Sequence, residues 1–250
     1  HKHSNISMAP KTGVGGGAGP SGLCAVNELA EACHNVICVE RTNAIGGELP
    51  PASLAPGPFF RTPDPTWRPL PRASGPRRPP AGVFSKRTEA AYDDLFLTIS
   101  NVFMAYSDFP VKEDYVKYSR KEEYSEYLDR YAEHFQLRSK IRFRTEVTKA
   151  AKVGGKWSVT LQPEAGAAET VSADSLVVAT GSNAVPKTRS NVAGLDAFRG
   201  RVSHSADYES NEAFQGKRVL VVGTGESAAD MASEVSKVAR ETTGWARRPM

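Results

Sequence analysis

A glycine-rich hexapeptide near the start of the chain, Gly17–Gly22, constrains the fold more than any other segment. It matches the pattern G-x-G-x-x-G, and helical periodicity follows it from about Gly22 to Ala32. In such a unit the first glycine permits a tight turn, the second admits a phosphate to the backbone, and the third lets the helix pack against its strand. Free N–H groups and the positive end of the helix dipole then hold the phosphate. The motif therefore predicts the strand-to-helix corner of a dinucleotide-binding fold.

An acidic residue follows this motif where a ribose-binding carboxylate is expected. Val36–Val39 predicts the second strand, and Glu40 stands at its end, eighteen residues after Gly22. A carboxylate there accepts hydrogen bonds from ribose hydroxyls and repels a 2′-phosphate, so FAD or NAD fits better than NADP. Before the motif, Lys11–Gly16 offers only one good strand residue, and its glycines predict a weak first strand.

The strand–glycine–helix arrangement occurs a second time, near the other end of the chain. Arg218–Val222 predicts a buried, apolar strand, and Gly223–Ala228 repeats the motif with alanine as its last residue. After a poor strand at Glu241–Ala246 come Arg247 and Arg248. A guanidinium there would pair with a 2′-phosphate, or the two arginines would only solvate the chain.

Between the two units the pattern predicts one helix and several strands. Ser119–Glu122 has capping-box spacing and predicts a helix start. The predicted strands are Ile141–Val147, Lys156–Leu161 and Ser175–Ala179. Residues 50–80 hold eleven of the seventeen prolines and predict an exposed, irregular insertion.

Composition narrows the possible partners. A net charge of +4, not gathered into one block, gives little support for a nucleic-acid partner, and no apolar run is long enough to span a bilayer. The three cysteines, Cys24, Cys33 and Cys38, fit no metal-ligand pattern and suit a reducing compartment. We predict a cytoplasmic protein without a metal site, while a membrane anchor in a further C-terminal part stays open.

Four further segments point to a family. They are Ser107–Pro110, the triplet Ala179–Gly181, the motif F-x-G-x-x-x-H-x-x-x-Y at Phe198–Tyr208, and Gly223–Ala228. Together with the first glycine motif they make the chain resemble the flavin-containing monooxygenases, which are class B flavoprotein monooxygenases. The resemblance runs from about residue 10 to 250, outside the proline-rich stretch.

The resemblance implies an α/β architecture of two Rossmann-like dinucleotide-binding folds, the second one truncated. We predict an FAD-binding domain at 9–185, a linker with the histidine motif at 186–215, and the start of an NADPH-binding domain at 216–250. In this family the NADPH domain continues further, and the chain then returns to the flavin domain. We therefore expect the 250-residue piece alone to bind FAD poorly and to turn over little.

The resemblance assigns FAD to the first unit and NADPH to the second. Predicted FAD-binding residues are Gly17, Gly19, Pro20, Ser21, Gly22, Glu40, Arg41, Gly46 and Gly47. A strand end beside both cofactors contributes Ala179, Thr180 and Gly181. Predicted NADPH-binding residues are Gly223, Gly225, Glu226, Ser227, Arg247 and Arg248.

The implied reaction is cofactor-centred. NADPH reduces FAD, O2 forms a flavin C4a-hydroperoxide, and one oxygen atom passes to a nucleophilic nitrogen or sulfur of a small molecule. His204 helps to position the nicotinamide or is a structural histidine at a domain junction. The family often places an asparagine near C4a, nine residues before Ser107, and that residue here is Thr98, with Asn101 close by. Either Thr98 donates instead, or Asn101 moves in, or the peroxide is stabilised less.

Three alternatives stay open at this point. A Baeyer–Villiger monooxygenase usually ends the linker motif in tryptophan, so Tyr208 favours the branch that oxygenates nitrogen or sulfur. Enzymes that act on indole-3-pyruvate share the tyrosine version. The non-enzyme alternative is a truncated, inactive remnant that retains dinucleotide binding.

Overall fold

A computed structural model of the chain describes residues 10–46, 95–111, 117–181 and 194–246. The proline-rich stretch at 50–80 and three predicted site residues, Gly47, Arg247 and Arg248, lie outside the described residues. The described residues form an α/β structure with two strand–glycine–helix units, and this confirms the predicted fold class.

The first unit is built on a parallel sheet of four strands, which are β1 (Thr12–Gly16), β2 (Asn35–Val39), β3 (Ile141–Arg142) and β7 (Ser175–Val178). Their order across the sheet is β3-β2-β1-β7. Helix α1 (Pro20–Glu31) connects β1 to β2, so the predicted βαβ unit is present.

β1 is rich in glycine and has a poor β-strand propensity, yet it lies between two other strands of this sheet. It pairs in parallel with β2 on one side and β7 on the other, and Val14 at its middle is fully buried. Its glycines also let neighbours approach, because a Cβ on Gly13 would lie 3.4 Å from the Leu29 side chain of α1. Pairing along both edges therefore offsets the poor strand propensity.

The predicted strand Ile141–Val147 is wrong, because the chain forms two strands there. Arg144 has a positive φ of 51°, which breaks the extended conformation after β3. The chain then enters a separate antiparallel sheet, whose three strands are β4 (Thr145–Val153), β5 (Lys156–Pro163) and β6 (Glu169–Ala173). The strand β6 was not predicted.

Two α-helices of the described residues lie between β2 and β3 along the chain. They are α2 (Asn101–Met104) and α3 (Lys121–His134). The predicted capping box starts one residue too early, because the N–H of Arg120 donates to the Glu123 carboxylate at 2.7 Å. Ser119 is instead buried, and its carbonyl accepts a hydrogen bond from the Leu97 N–H. The pairing of the 95–97 segment with this residue therefore decides where α3 begins.

Tyr127 of α3 forms two hydrogen bonds with the turn Tyr106–Phe109. Its hydroxyl oxygen accepts a hydrogen bond from the Tyr106 N–H at 2.7 Å, and its O–H donates to the Phe109 carbonyl at 2.6 Å. The Tyr106 O–H in turn donates to the Pro20 carbonyl at 2.6 Å, in the first turn of α1. Burial raises the pKa of Tyr127, so this hydroxyl stays protonated and keeps its donor. The turn is thereby attached to both α1 and α3.

Tyr127→Phe is expected to lower the free energy of unfolding by about 2 kcal/mol. It leaves the partly buried Tyr106 N–H and Phe109 carbonyl without their hydroxyl partner, at a cost of roughly 1–3 kcal/mol each when fully shielded from water and less when partly hydrated. Urea unfolding measures the loss. Tyr118→Phe is the matched control, because 48% of Tyr118 is exposed. Equal losses of unfolding free energy in the two variants would contradict a stabilising role for the two hydrogen bonds of the Tyr127 hydroxyl.

The second unit contains β8 (Arg218–Val222), α4 (Glu226–Ser236) and β9 (Glu241–Trp245). The prediction that β8 is buried is wrong, because Leu220 and Val222 are 60% and 65% exposed. Among the described residues, β8 pairs with β9 alone, in parallel. Only alternate side chains of β8 are therefore half-buried.

Candidate functional site

The first glycine motif lies at the corner between β1 and α1. Gly17 has φ +103°, and a Cβ there would lie 3.0 Å from the Ala179 carbonyl carbon and closer still to its oxygen. A Cβ on Gly22 would lie 2.9 Å from the Gly17 carbonyl carbon and closer still to that oxygen. The contacts of the corner itself therefore require glycine at the first and third positions.

The first turn of α1 presents backbone donors at this corner. Gly19 is the N-cap and has no side chain, and Pro20 follows at the start of the helix without an N–H of its own. The first N–H groups of a helix have no carbonyl partner one turn earlier, and the helix dipole places partial positive charge on them. Ser21 and Gly22 therefore contribute the donors that a phosphate group could reach.

Glu40 is buried directly beside this corner, with 4% of its surface exposed. One carboxylate oxygen accepts a hydrogen bond from the Ala18 N–H at 2.8 Å, and the other accepts from the Thr42 N–H at 2.9 Å. The carboxylate thus connects the turn after β1 to the segment after β2. The sequence predicted a ribose ligand at Glu40 but not this structural role.

The segment after β2 returns to the glycine motif. Gly46 has φ +122°, and its N–H donates to the Ala18 carbonyl at 3.1 Å. Behind the corner, the Cys38 thiol donates to the Gly17 carbonyl at 3.5 Å, and burial raises the pKa of this thiol to about 12. Arg41 is exposed at the surface.

The A-T-G triplet ends β7 beside the same corner. The Ala179 N–H donates to the Gly16 carbonyl at 2.9 Å, and the Thr180 methyl lies 3.7 Å from where a Cβ of Gly16 would be. Gly181 has φ +80°, a left-handed conformation that favours glycine. The structure therefore brings this triplet and the first motif together, although about 160 residues separate them, as expected at the carboxyl ends of parallel strands.

The second glycine motif forms the equivalent corner between β8 and α4. Gly223 has φ +142°, and its N–H donates to the Trp245 carbonyl at 3.0 Å. A Cβ on Gly223 would lie 3.3 Å from the Ala228 Cβ, so alanine fits at the last position while the first remains glycine. Gly225 is the N-cap of α4, and Glu226 and Ser227 are exposed in the first turn.

Thr98 and Asn101, the two candidates for the position near C4a, have different surroundings. Asn101 is buried, with 4% exposure, and its N–H donates to the Lys117 carbonyl at 2.9 Å. Thr98 is exposed, and its hydroxyl lies 3.2 Å from a carboxylate oxygen of Glu226. Thr98 therefore reaches the second glycine motif, a contact that sequence reasoning missed.

The residues of the histidine motif make local contacts. A Cβ on Gly200 would lie 3.3 Å from Cε2 of Phe198 and closer to other atoms of that ring, so the phenyl ring covers the glycine. His204 is half-buried, and its N–H donates to the Asp207 carboxylate at 3.3 Å. Tyr208 is buried, with its ring 5.9 Å from that of Phe214. Burial thus accounts for the tyrosine of the motif, whereas Phe198 is 53% exposed.

In the described parts of the chain, no helix has both the length and the apolar character that crossing a membrane requires.

A family model described as flavin-binding monooxygenase-like matches residues 85–247. The chain belongs to this family. The match includes the Ser107–Pro110 segment, the A-T-G triplet, the histidine motif and the second glycine motif, and it confirms the resemblance drawn from the sequence.

Two curated proteins are similar to most of the chain. The chain is 37% identical to a 4-hydroxybenzoate brominase (decarboxylating) of Marinomonas mediterranea, over 90% of this chain and 36% of that protein. It is 32% identical to flavin-containing monooxygenase 1 of Canis lupus familiaris, over 92% of this chain and 40% of that protein. The chain therefore spans between 36% and 40% of the length of these curated relatives.

Solved structures of flavin monooxygenases share the fold. S-allyl-L-cysteine S-oxygenase from Allium sativum superposes with a TM-score of 0.77 at 24% identity, over 98% of this chain and 53% of that one. An oxidised steroid monooxygenase bound to NADP superposes with a TM-score of 0.60 at 26% identity, over 96% and 39% of the two chains.

Proposed function

We propose that the chain supplies the nucleotide-binding part of an FAD- and NADPH-dependent monooxygenase, which transfers one oxygen atom of O2 to a nucleophilic nitrogen or sulfur of a small molecule. The observation that carries this proposal is the pair of glycine corners, Gly17–Gly22 and Gly223–Ala228, in a member of the flavin-binding monooxygenase-like family. A solved structure of the same fold is described as a complex with FAD and NADP. We infer an FAD domain at 9–185, a linker at 186–215 and the start of an NADPH domain at 216–250.

The first corner fits the pyrophosphate and ribose of FAD. Gly19 places no side chain over the start of α1, so the N–H groups of Ser21 and Gly22 are open to a phosphate. Each oxygen of the Glu40 carboxylate has a second lone pair beyond its backbone hydrogen bond and would accept from a ribose hydroxyl. We extend this site to Arg41, Gly46, Ala179, Thr180 and Gly181, and we also assign to it Gly47, which lies outside the described residues.

The second corner fits the pyrophosphate of NADPH. Apart from its chain neighbours, none of the described residues has an atom within 4 Å of a Cβ position on Gly225, so the described structure leaves the start of α4 open. The N–H groups of the first turn, with Ser227, would bind the phosphates there. Arg247 and Arg248, outside the described residues, remain the predicted partners of the 2′-phosphate.

When bound, NADPH would supply a hydride and FAD would supply the centre that activates O2. The protein's own share is binding and orientation. Backbone N–H groups at the two corners would neutralise phosphate charge, and Glu40 would fix the adenosine ribose. The half-buried imidazole of His204 would position the nicotinamide side from the linker.

Bromide ion is a second candidate for the oxygen acceptor. Two relatives named 4-hydroxybenzoate brominase (decarboxylating) are 37% and 36% identical to this chain. Bromide is a soft nucleophile, as amines and sulfides are, so oxygen transfer to it belongs to the same reaction class. The identity to these brominases is the observation that favours bromide.

The natural full-length protein that contains this chain is expected to purify yellow and to oxidise NADPH with uptake of O2. A tertiary amine, a thioether, and bromide with a phenol would be supplied separately, and products identified by mass spectrometry. An N-oxide or S-oxide supports the first acceptor, and a brominated phenol supports the second. A protein that remains colourless and takes up no FAD on incubation would contradict the proposed function.

A further inference from the structure

The start of α4 carries a negative charge where a phosphate is expected. Glu226 is the first residue of the helix, directly after the N-cap Gly225, and its side chain is exposed. The partial positive charge of the helix terminus attracts this carboxylate and a dinucleotide phosphate alike. A carboxylate free to turn over the helix start would therefore compete with the phosphate and repel it.

A residue from the first unit holds this carboxylate. The hydroxyl of Thr98 lies 3.2 Å from a carboxylate oxygen of Glu226, across 128 residues of sequence. A hydroxyl donates one hydrogen bond, and a carboxylate only accepts, so the Thr98 O–H is the donor. The contact joins the segment before α2 to the first turn of α4.

We propose that Thr98 is a positioning residue for nucleotide binding: its hydroxyl holds the Glu226 carboxylate away from the phosphate site at the start of α4. This inference rests on the proposed function, because it requires NADPH to bind at the second corner. It gives Thr98 a role through Glu226, distinct from a direct contact with the flavin. The same hydrogen bond makes nucleotide binding in the second unit depend on a residue of the first.

The test is the dissociation constant of NADP+ for the full-length FAD-loaded protein, measured by calorimetric titration. Thr98→Val keeps the shape of the side chain and removes its donor, and it is expected to raise the dissociation constant about tenfold because the freed carboxylate repels the phosphates. Thr98→Ser keeps the donor and is expected to stay within about twofold of the wild type. FAD content and melting temperature are expected to be the same in all variants.

A rescue by charge removal separates positioning from a general structural effect. Glu226→Gln removes the repelling charge, so adding Thr98→Val to it is expected to leave the dissociation constant unchanged. In about 1 M salt, where the screening length is about 3 Å, the Thr98→Val effect is expected to shrink.

Two results would overturn the inference. The first is Thr98→Val with wild-type NADP+ affinity, and the second is an equal loss in the wild-type and Glu226→Gln backgrounds. A wild-type protein that binds FAD but no NADP+ would instead refute the proposed function of the second corner.

Discussion

Gly22→Ala is expected to yield a full-length protein that purifies without flavin. A Cβ at this position would lie 2.9 Å from the Gly17 carbonyl carbon, and a backbone atom cannot move aside as a flexible side chain can. Gly17 cannot retreat either, because it is itself packed against the Ala179 carbonyl. Helix α1 must therefore shift from β1, and its free N–H groups shift with it. We expect a loss of about 3 kcal/mol in the free energy of unfolding, as for severe overpacking.

Absorbance of released flavin and urea unfolding measure the two effects. Gly15→Ala is the matched control, because Gly15 lies in the same β1–α1 unit and a Cβ there meets no atom of another described segment within 4 Å. Alanine is also favoured over glycine in a strand by roughly 0.5–1 kcal/mol, so this control is expected to keep its flavin and its stability. Flavin retention in Gly22→Ala at the level of Gly15→Ala would show that the corner tolerates a side chain.

Glu40→Ala is expected to have an effect of similar size through lost hydrogen bonds. The buried carboxylate accepts from the Ala18 and Thr42 N–H groups, and its removal leaves both donors without an acceptor. Each buried unsatisfied group costs roughly 1–3 kcal/mol, so we expect a total loss of about 4 kcal/mol in the free energy of unfolding. The FAD affinity is expected to fall about 100-fold or more. The turn before α1 loses its hydrogen bond to the carboxylate, and the ribose hydroxyls lose their acceptor.

Glu40→Gln tests the same network with a smaller change. Its amide has one oxygen, so it can accept from one of the two N–H groups and turns its own donors toward the other. We expect its loss of stability to lie between those of the wild type and Glu40→Ala. Glu164→Gln is the control, because the Glu164 side chain is 68% exposed and its ion pair with Arg144 is a surface pair. Wild-type flavin content in Glu40→Ala would contradict the proposed role of the carboxylate.

The sequence predicted those parts of the fold that depend on local spacing. The two glycine corners are confirmed because three glycine-type positions within six residues encode a turn and a close approach directly. The buried face of α3, which includes Tyr124, Leu128 and Tyr131, follows helical periodicity, a local property that the sequence shows directly.

The errors concern features that distant residues decide. The strand is interrupted at Arg144 because the residues before it pair in the parallel sheet and those after it pair in the antiparallel sheet. No residue type at this position indicates a positive φ. The exposure of Leu220 depends on which elements cover β8, and an apolar run does not say how many do. The start of α3 is shifted because Ser119 pairs with Leu97 in place of capping the helix.

The candidate site also combines features that local sequence patterns predict with features that distant residues determine. The glycines, Glu40 and the A-T-G triplet were predicted at the first corner, and the structure brings them together. The hydrogen bond between Thr98 and Glu226 joins residues that are 128 positions apart. No sequence pattern around either residue predicts this contact. A departure from the family pattern at Thr98 was the only signal in the sequence that this position differs.

The central position of β1 also limits the order in which the molecule can be made. Gly13 is hydrogen-bonded in register with Val36 on one side and Ser175 on the other, so its second neighbour leaves the ribosome some 140 residues after the first. Until Val178 has been synthesised, one edge of a glycine-rich strand stays open to solvent or to a foreign strand. We therefore expect the first unit to complete its sheet late in synthesis, and the nascent chain to be more exposed to proteases before that point than after it.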